Sequence, residues 1–251
     1  MSEPNRGRVR VESGLKRVRV YLGGRAVADT THPLLVWEIP YYPTYYLPLA
    51  DVAPDVLVPT GDTEHSPSRG DGVLYTVKAG ASEAPDAAIR YPDSPIEELR
   101  DAVRFDWQAM DAWFEEDEEV YVHPRDPHSR VDILPSSRAI RIELDGVVLA
   151  ESTHARVLHE TGLPPRWYIP KVDVRLDLLE PTATTSQCPY KGTAEYWAAL
   201  VDGRRVEDIA WSYRTPLPES ERIAGLVCFY SERSDLYLDG ELQERPRTPF
   251  S

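Results

Sequence analysis

The sequence predicts a mainly β protein built from two tandem copies of one small antiparallel domain, with few short helices. An internal repeat, a hairpin signal at the start of each copy and a high proline content support this prediction. The repeat is the strongest observation. Shifting the chain by 122 residues aligns residues 19–77 with residues 141–199 without a gap, and 19 of these 59 positions are identical.

Each copy begins with a predicted β-hairpin. Polar and apolar residues alternate over residues 17–22 before Gly23-Gly24, and over residues 140–144 before Asp145-Gly146. Asp-Gly is a strong signal for a two-residue hairpin turn. The 23 prolines favour short strands joined by defined turns over long helices. In the second copy, further strands are predicted at residues 192–200, 208–213, 223–230 and 236–238.

The repeat also predicts the domain organisation as a pseudo-two-fold duplication. We expect a flexible tail at residues 1–13, a first repeat at residues 14–131 and a second repeat at residues 132–251. The register of the two copies slips after Tyr91. Residues 120–122 then match residues 236–238 at an offset of 116, which indicates extra residues in the first copy.

The extra residues carry aromatic side chains at helical spacing. Trp107, Met110 and Trp113 predict a short amphipathic helix inserted in the first repeat. The acidic run at residues 115–119 follows it, and we interpret this run as a solvated face. Residues 123–127 contain two prolines and are expected to form a stiff linker between the copies.

The composition disfavours several classes of partner. The formal net charge of −14 would repel nucleic acid and anionic membranes. No apolar run approaches the roughly 20 residues of a membrane helix, and the basic N-terminus lacks the apolar stretch of a signal peptide. Cys188 and Cys228 are too few for a disulfide framework. We therefore expect a cytoplasmic protein.

The densest group of reactive side chains is the turn Cys188-Pro189-Tyr190-Lys191-Gly192, which leads into an aromatic strand. Alternate side chains of neighbouring strands lie on one face of a sheet, so several aromatic rings could line one cavity. The candidate ligand-binding residues are Glu160, Tyr168, Cys188, Tyr190, Lys191, Tyr196, Trp211, Tyr213 and Phe229.

These residues also allow other interpretations. The aromatic rings could form the core of a small domain. Cys188 could be an inert buried thiol, a residue lining the cavity, or a nucleophile whose pKa Lys191 lowers. Catalysis would also require an acid or base such as His154 or Glu160.

The first copy lacks most of the candidate groups. Its turn is Ser66-Pro67-Ser68-Arg69-Gly70, and Ile89 stands where the second copy has Trp211. This asymmetry predicts a complete site in the second repeat only. Glu160 and Tyr168 do recur in the first copy, as Glu38 and Tyr46, and a structural role accounts for them at least as well as a site does.

The motifs of metal and cofactor sites are missing. The chain has no Cys-x-x-Cys pair, Walker loop, His-Glu-x-x-His or Gly-x-Ser-x-Gly sequence. His123, Asp126 and His128 lie close together in the sequence, but the intervening Pro124 and Pro127 favour a rigid turn over a metal site. We therefore predict no metal and no cofactor.

The combined motifs of the second copy resemble the domain of unknown function 427 family. They are Asp145-Gly146, Glu160-Thr161-Gly162, the turn from Cys188 to Gly192, Trp211-Ser212-Tyr213, and Ile223-Ala224-Gly225 before Phe229-Tyr230. The first copy matches them more loosely. Residues 107–130 look like the segment between the copies in tandem members.

The resemblance implies a β-tent-like fold for each repeat. Relatives with this fold hold a structural zinc with two Cys-x-x-Cys pairs, which this chain lacks. Several β-tent proteins hold a ligand between their two sheets, and this implies a cavity lined by Trp211, Tyr213 and Phe229. The family has also been labelled a nucleotidyltransferase, but no Gly-Ser loop followed by paired aspartates supports that label here.

Three functional hypotheses follow. The leading one is a non-catalytic protein that binds a small molecule or peptide in an aromatic pocket of the second repeat. The alternatives are a thiol-dependent enzyme using Cys188, and a structural pseudo-dimer that presents the acidic helix to a protein partner or a further copy of itself.

Overall fold

The computed structural model describes residues 9–248. These residues form two compact units, which meet in the chain between Asp126 and Pro127. Each unit contains one seven-stranded and one four-stranded antiparallel sheet. This confirms the prediction of a mainly β protein with two tandem antiparallel domains and few short helices. None of the helices among the described residues has the length and apolar character needed to cross a membrane.

The N-terminal repeat has strands β1 to β11. In chain order they are Arg10–Ser13, Val18–Leu22, Arg25–Thr30, Leu34–Trp37, Thr44–Pro48, Leu57–Ser66, Gly70–Ala79, Ser82–Arg90, Ala102–Phe105, Ala112–Glu115 and Glu118–Glu119. The large sheet has the order β1-β4-β5-β9-β8-β7-β6, and the small sheet has the order β11-β10-β2-β3. Short 3-10 helices lie at Leu49–Asp51 and Glu97–Leu99.

The C-terminal repeat has strands β12 to β22. In chain order they are Val131–Pro135, Ile140–Leu144, Val147–Ser152, Arg156–Glu160, Arg166–Ile169, Leu179–Cys188, Gly192–Val201, Arg204–Tyr213, Val227–Phe229, Asp235–Leu238 and Glu241–Leu242. The large sheet has the order β12-β15-β16-β20-β19-β18-β17, and the small sheet has the order β14-β13-β21-β22. Short 3-10 helices lie at Lys171–Asp173, Leu176–Leu178 and Pro218–Ile223.

Both predicted hairpins are present. Strand β2 pairs with β3, and β13 pairs with β14. Asp145 and Gly146 have φ angles of 52° and 81°, the left-handed conformation that both turn positions of a type I′ hairpin require. The local turn chemistry therefore sets the start of each repeat.

Each repeat has its main core between the two sheets and a smaller apolar cluster on the opposite face of the large sheet. In the C-terminal repeat the main core includes Ile142 and Leu236 from the small sheet and Ile169 and Phe229 from the large one. The smaller cluster includes Tyr168 and other side chains on what we call the outer face of the large sheet. Because side chains alternate along a strand, the large sheet can bury residues on both faces.

The predicted flexible tail is partly wrong. Residues 10–13 form β1 and pair with β4 at the edge of the large sheet. Residues 1–8 lie outside the described residues, so that part of the prediction stays untested by the structure.

The inserted helix is also wrong, because Trp113 lies in strand β10, which pairs with β2. Trp107 and Met110 precede this strand, and the Trp107 ring stacks on the Trp113 ring with centroids 4.5 Å apart. The chain turns before β10, and this turn brings Trp107 and Trp113 to the same core. An amphipathic helix would have had the same effect. Helical spacing over three residues could not distinguish the two arrangements.

Two related predictions change with the helix. Strand β10 occupies the sheet position of β21, so Trp113 corresponds to Leu236 and the copies keep nearly the same register throughout. The acidic run is not uniformly solvated either. Glu115 is buried and accepts hydrogen bonds from Lys16 and from the hydroxyl of Tyr45.

One strand prediction in the C-terminal repeat was too long. Residues 223–230 were expected to be one strand, but only Val227–Phe229 forms a strand, and Ala224 makes just an isolated bridge with Tyr213. Ile223 instead ends the 3-10 helix Pro218–Ile223, and Gly225 follows with a φ of 69°. That backbone conformation favours glycine and interrupts an extended strand.

Candidate functional site

Four side chains form a line across the outer face of the C-terminal large sheet. The register pairs Tyr168 with Cys228, Cys228 with Trp211, and Trp211 with Tyr196 on successive strands. Directly paired residues point to the same face. We call these four residues the outer row. The rings of Tyr168 and Trp211 meet edge to face with centroids 6.3 Å apart, and Trp211 Nε1 donates a hydrogen bond of 3.2 Å to the hydroxyl of Tyr168.

A charged pair lies beside the outer row. Glu160 ends strand β15, and Lys191 belongs to the turn between β17 and β18. Lys191 Nζ lies 2.5 Å from Glu160 Oε2, and each of these side chains is only 10% exposed. Tyr213, two residues after Trp211 and on the same face, packs in the same cluster.

The turn that carries Lys191 is held by backbone contacts. Gly192 has a φ of 92°, and a Cβ on it would lie 3.6 Å from the carbonyl oxygen of Thr215. Ser220 donates a hydrogen bond of 2.9 Å to the carbonyl oxygen of Tyr190. The segment that follows β19 therefore covers this turn and fixes the position of Lys191.

The electrostatics keep Lys191 protonated. Burial alone would lower the pKa of its ammonium group, but the neighbouring Cys188 and Glu160 raise it above its ordinary value. Burial raises the pKa of Tyr168 and of Tyr213 well above the ordinary value of 10. Both phenols are therefore neutral hydrogen-bonding groups at neutral pH and are not bases.

The two thiols have different surroundings. Cys228 lies in the outer row, is fully buried, and has its pKa raised to about 12 by that burial. Cys188 is half-buried, and its electrostatic interaction with the Lys191 ammonium helps to raise the pKa of that lysine. Of the two, only Cys188 combines partial exposure with a neighbouring cation.

The structure does not bring Phe229 to this group. Phe229 follows Cys228 in the strand, so its ring lies on the opposite face, in the core between the sheets. A cavity beside Phe229 has a volume of about 10 Å³, close to the space that one water molecule needs. Small-molecule pockets occupy hundreds of Å³. Phe229 therefore cannot line one cavity between the sheets together with Trp211 and Tyr213, because these two side chains lie on the other face of the large sheet.

Sequence reasoning overlooked two residues next to the outer row, Arg166 and Glu232. Arg166 makes a bidentate ion pair with Glu232, with nitrogen to oxygen distances of 2.6 and 2.7 Å, and both side chains are buried. The Arg166 guanidinium lies within 6 Å of the ring centroids of Trp211 and Tyr230. Arg166 precedes Tyr168 by two residues in one strand, and this alternation was the available signal.

The N-terminal repeat keeps the charged pair of the site. Arg69 stands at the position of Lys191 and pairs with Glu38, and the hydroxyl of Tyr46 donates a hydrogen bond of 2.6 Å to the same carboxylate. This copy therefore keeps a cation next to its carboxylate. It lacks the aromatic rings, because Ile89 and Leu74 stand in place of Trp211 and Tyr196.

Metal ligation has no structural support in the described part of the chain. Within residues 9–248 no group of three or more His, Cys, Asp and Glu side chains is arranged to hold a metal ion. The chemistry available at the outer face is hydrogen bonding, ion pairing and aromatic contact.

The protein consists of two tandem domains of the same class. Each has a seven-stranded and a four-stranded antiparallel sheet, and each has an ion pair at the same place. A family model described as a domain of unknown function (DUF427) matches the chain twice, over residues 10–116 and 132–240. These matches cover most of the chain, which therefore belongs to this family, with two tandem copies. Among curated proteins no sequence matches it.

Proposed function

We propose that the C-terminal repeat is a non-catalytic binding module for a small molecule or short peptide. Its site is the outer face of the large sheet. The observation that supports this most is the ion pair between Glu160 and Lys191, which lies next to the aromatic residues of the outer row. Each of its two side chains is only 10% exposed.

The ion pair is a costly way to stabilise a domain. Removing two charges from water offsets much of their attraction, and apolar residues of similar size often stabilise a protein as well or better. A buried pair beside partly exposed rings is better suited to recognition. Lys191 and Glu160 can orient polar groups of a ligand, since they offer a donor and an acceptor at one place.

The aromatic side chains supply the apolar contact area. Tyr196 and Tyr230 are half-buried, so their rings are accessible to a ligand, while Trp211 packs behind them with its centroid 4.5 Å from that of Tyr230. Planar rings suit stacking with an aromatic or otherwise flat ligand. The ligand class is therefore one with a flat apolar part and a hydrogen-bonding group.

A thermal-shift screen of a metabolite and dipeptide library tests this proposal. The informative variants are Trp211→Ile and Tyr196→Leu, which introduce the residues that the N-terminal repeat carries at the same positions. Compounds that stabilise the wild-type protein should lose their effect in both variants. Tyr237→Leu is the matched control, because it removes a half-buried tyrosine ring from the small sheet of the same repeat.

Two outcomes would contradict the proposal. One is a set of hits that stabilise the Trp211 and Tyr196 variants as much as the wild type. The other is a loss of the same hits in the Tyr237→Leu control, which would indicate a general effect on stability.

A second candidate function is thiol chemistry at Cys188. The electrostatic interaction between Cys188 and the nearby Lys191 ammonium favours it, because catalytic cysteines lie in partly exposed, electropositive surroundings. Glu160 competes for the same ammonium group, and this weakens the argument. Alkylation of Cys188 in a Lys191→Met variant distinguishes the two functions.

A further inference from the structure

The N-terminal repeat contains two cations that share one carboxylate. Arg104 Nη1 lies 2.9 Å from Glu38 Oε2, and Arg69 pairs with the other oxygen of Glu38. Burial alone would raise the pKa of the Glu38 carboxyl, but Arg104, Tyr46 and Arg69 outweigh it and hold this pKa below its ordinary value. Glu38 is therefore ionised, and the group has one excess positive charge.

A buried hydroxyl without a partner lies at the same place. Tyr91 is fully buried, and its hydroxyl oxygen finds no hydrogen-bond partner among the described residues. The Arg69 guanidinium carbon lies 5.1 Å from the centroid of the Tyr91 ring. An unpaired buried hydroxyl costs free energy. A ligand with an acceptor oxygen, bound beside the two guanidinium groups, would remove this cost.

The guanidinium groups of Arg69 and Arg104 also have N–H donors that no protein group uses among the described residues. Arg69 uses Nε for Ser66 and Nη1 for Glu38 and Tyr46, and Arg104 uses Nη1 for Glu38. Within residues 9–248, Nη2 of each arginine makes no further hydrogen bond. The side chains are 12% and 27% exposed, so a solute can reach them.

The charge balance differs between the repeats. By strand register, the position of Arg104 is that of Cys228 in the C-terminal repeat, because Arg104 pairs with Ile89 as Cys228 pairs with Trp211. The C-terminal group therefore has one cation and one carboxylate, whereas the N-terminal group has two cations. Glu64 also acts on Tyr91, but it is exposed and makes none of the hydrogen bonds of the group.

We propose that the N-terminal repeat has a binding site of its own for a small oxyanion, a carboxylate or a phosphate. Arg69, Arg104 and the hydroxyl of Tyr91 are its donors. Arginine forms strong charged hydrogen bonds with both kinds of anion. The site is independent of the ligand proposed for the C-terminal repeat.

The test is an NMR titration of the full-length protein labelled with ¹⁵N. Sodium phosphate and sodium acetate are added in separate arms, and sodium chloride holds the ionic strength constant. The side-chain Nε–H signals of Arg69 and Arg104 should shift and saturate in at least one oxyanion arm, and the tighter arm identifies phosphate or carboxylate. A drift equal to that with chloride alone in both arms overturns the proposal.

Three variants make the test specific. Arg104→Gln and Tyr91→Phe should each weaken oxyanion binding, by roughly tenfold for the charged donor. Lys78→Gln is the matched control, because it removes one cation at the other end of β7, roughly 30 Å from Arg69 at 3.3 Å per residue. An unchanged affinity in Arg104→Gln or Tyr91→Phe overturns the proposal, as does an equal loss in Lys78→Gln.

The two proposals fail separately. Lys191→Met changes the C-terminal site and should leave the oxyanion titration unchanged. A titration that depends on Lys191 instead of Arg104 would overturn the N-terminal site and leave the C-terminal one standing.

Discussion

Lys191 Nζ lies 2.5 Å from Glu160 Oε2, and both side chains are 10% exposed. A pair in this position depends on both partners, because removal of one leaves a buried charge uncompensated. The N-terminal repeat has the same pair with arginine in place of lysine. This shared geometry is the basis of the first prediction.

Lys191→Met should destabilise the C-terminal repeat by about 3 kcal/mol, since it leaves the Glu160 carboxylate buried without its cation. Urea unfolding followed by tryptophan fluorescence measures this change. The double variant Lys191→Met/Glu160→Leu should recover most of the loss, because no charge then remains buried. Arg205→Gln, in an exposed ion pair with Glu207, is the control and should change little. A loss below about 1 kcal/mol for Lys191→Met would show that the pair is effectively solvated.

The pH dependence of stability should report the Arg166–Glu232 pair. Burial would raise the pKa of the Glu232 carboxyl, but Arg166 and Thr248 lower it below its ordinary value of 4.5. The folded state therefore holds the proton less tightly than the unfolded state. The resulting stabilisation is present above pH 4.5 and is lost as the pH falls through the folded-state pKa.

Urea unfolding between about pH 6 and pH 3 tests this dependence. Glu232→Gln should lower the stability at pH 6 and flatten its decrease toward pH 3. Glu207→Gln, which removes an exposed carboxylate from an ion pair with Arg205 in the same repeat, serves as the control and should change the profile little. Parallel profiles for the wild type and Glu232→Gln would count against the pair.

Glu115 should be needed for the stability of the N-terminal repeat. Its buried carboxylate accepts hydrogen bonds from the Tyr45 hydroxyl at 2.9 Å and from the backbone N–H of Arg125 at 3.2 Å. Glu115→Leu introduces the apolar residue of the matching C-terminal position and should cost about 1–3 kcal/mol, because it leaves the Tyr45 hydroxyl without its acceptor. Chemical denaturation measures this loss.

The double variant Glu115→Leu/Tyr45→Phe removes both polar groups and should be more stable than Glu115→Leu alone. No recovery in the double variant would mean that the cost of Glu115→Leu arises elsewhere, for example from Lys16.

Alkylation should distinguish the two cysteines. Iodoacetamide at neutral pH should modify Cys188 in the native protein and Cys228 only after unfolding, because Cys228 is fully buried and its pKa is raised to about 12. Peptide mass mapping assigns each site. Modification of native Cys228 would contradict the packing of the outer row.

The same reaction tests the thiol-enzyme alternative. An enzyme that depends on Lys191 to activate Cys188 should lose roughly tenfold or more in alkylation rate in Lys191→Met. The binding proposal needs no activated thiol, and because Glu160 holds the Lys191 ammonium it expects a rate close to that of the wild type. A large loss would therefore favour thiol chemistry over simple binding.

Much of the fold could be predicted from the sequence because its signals are local. Gly23-Gly24 and Asp145-Gly146 fix the hairpins through their backbone conformation, and the gapless repeat identifies the two domains. The pairing of β10 with β2 could not be predicted in this way, because it joins residues 91 to 97 positions apart. Local periodicity at Trp107 and Trp113 then suggested a helix.

The candidate site was predictable in part for a similar reason. Glu160 and Lys191 were found as candidates, but the face on which Phe229 lies depends on the register of a three-residue strand. Arg104 was missed because the alignment of the copies shifts by two residues before it, so that its relation to Cys228 emerges only from strand pairing.

The indole N–H signal of Trp211 tests the central claim most directly. This group donates to the hydroxyl of Tyr168 within the outer row, and its ¹⁵N signal can be assigned by its loss in Trp211→Ile. Addition of a compound from the thermal-shift screen should shift the Trp211 signal to saturation and leave those of Trp107 and Trp113 in the N-terminal repeat unchanged. Saturable shifts confined to Trp107 and Trp113, with Trp211 unaffected, would contradict a ligand site on the outer face of the C-terminal repeat.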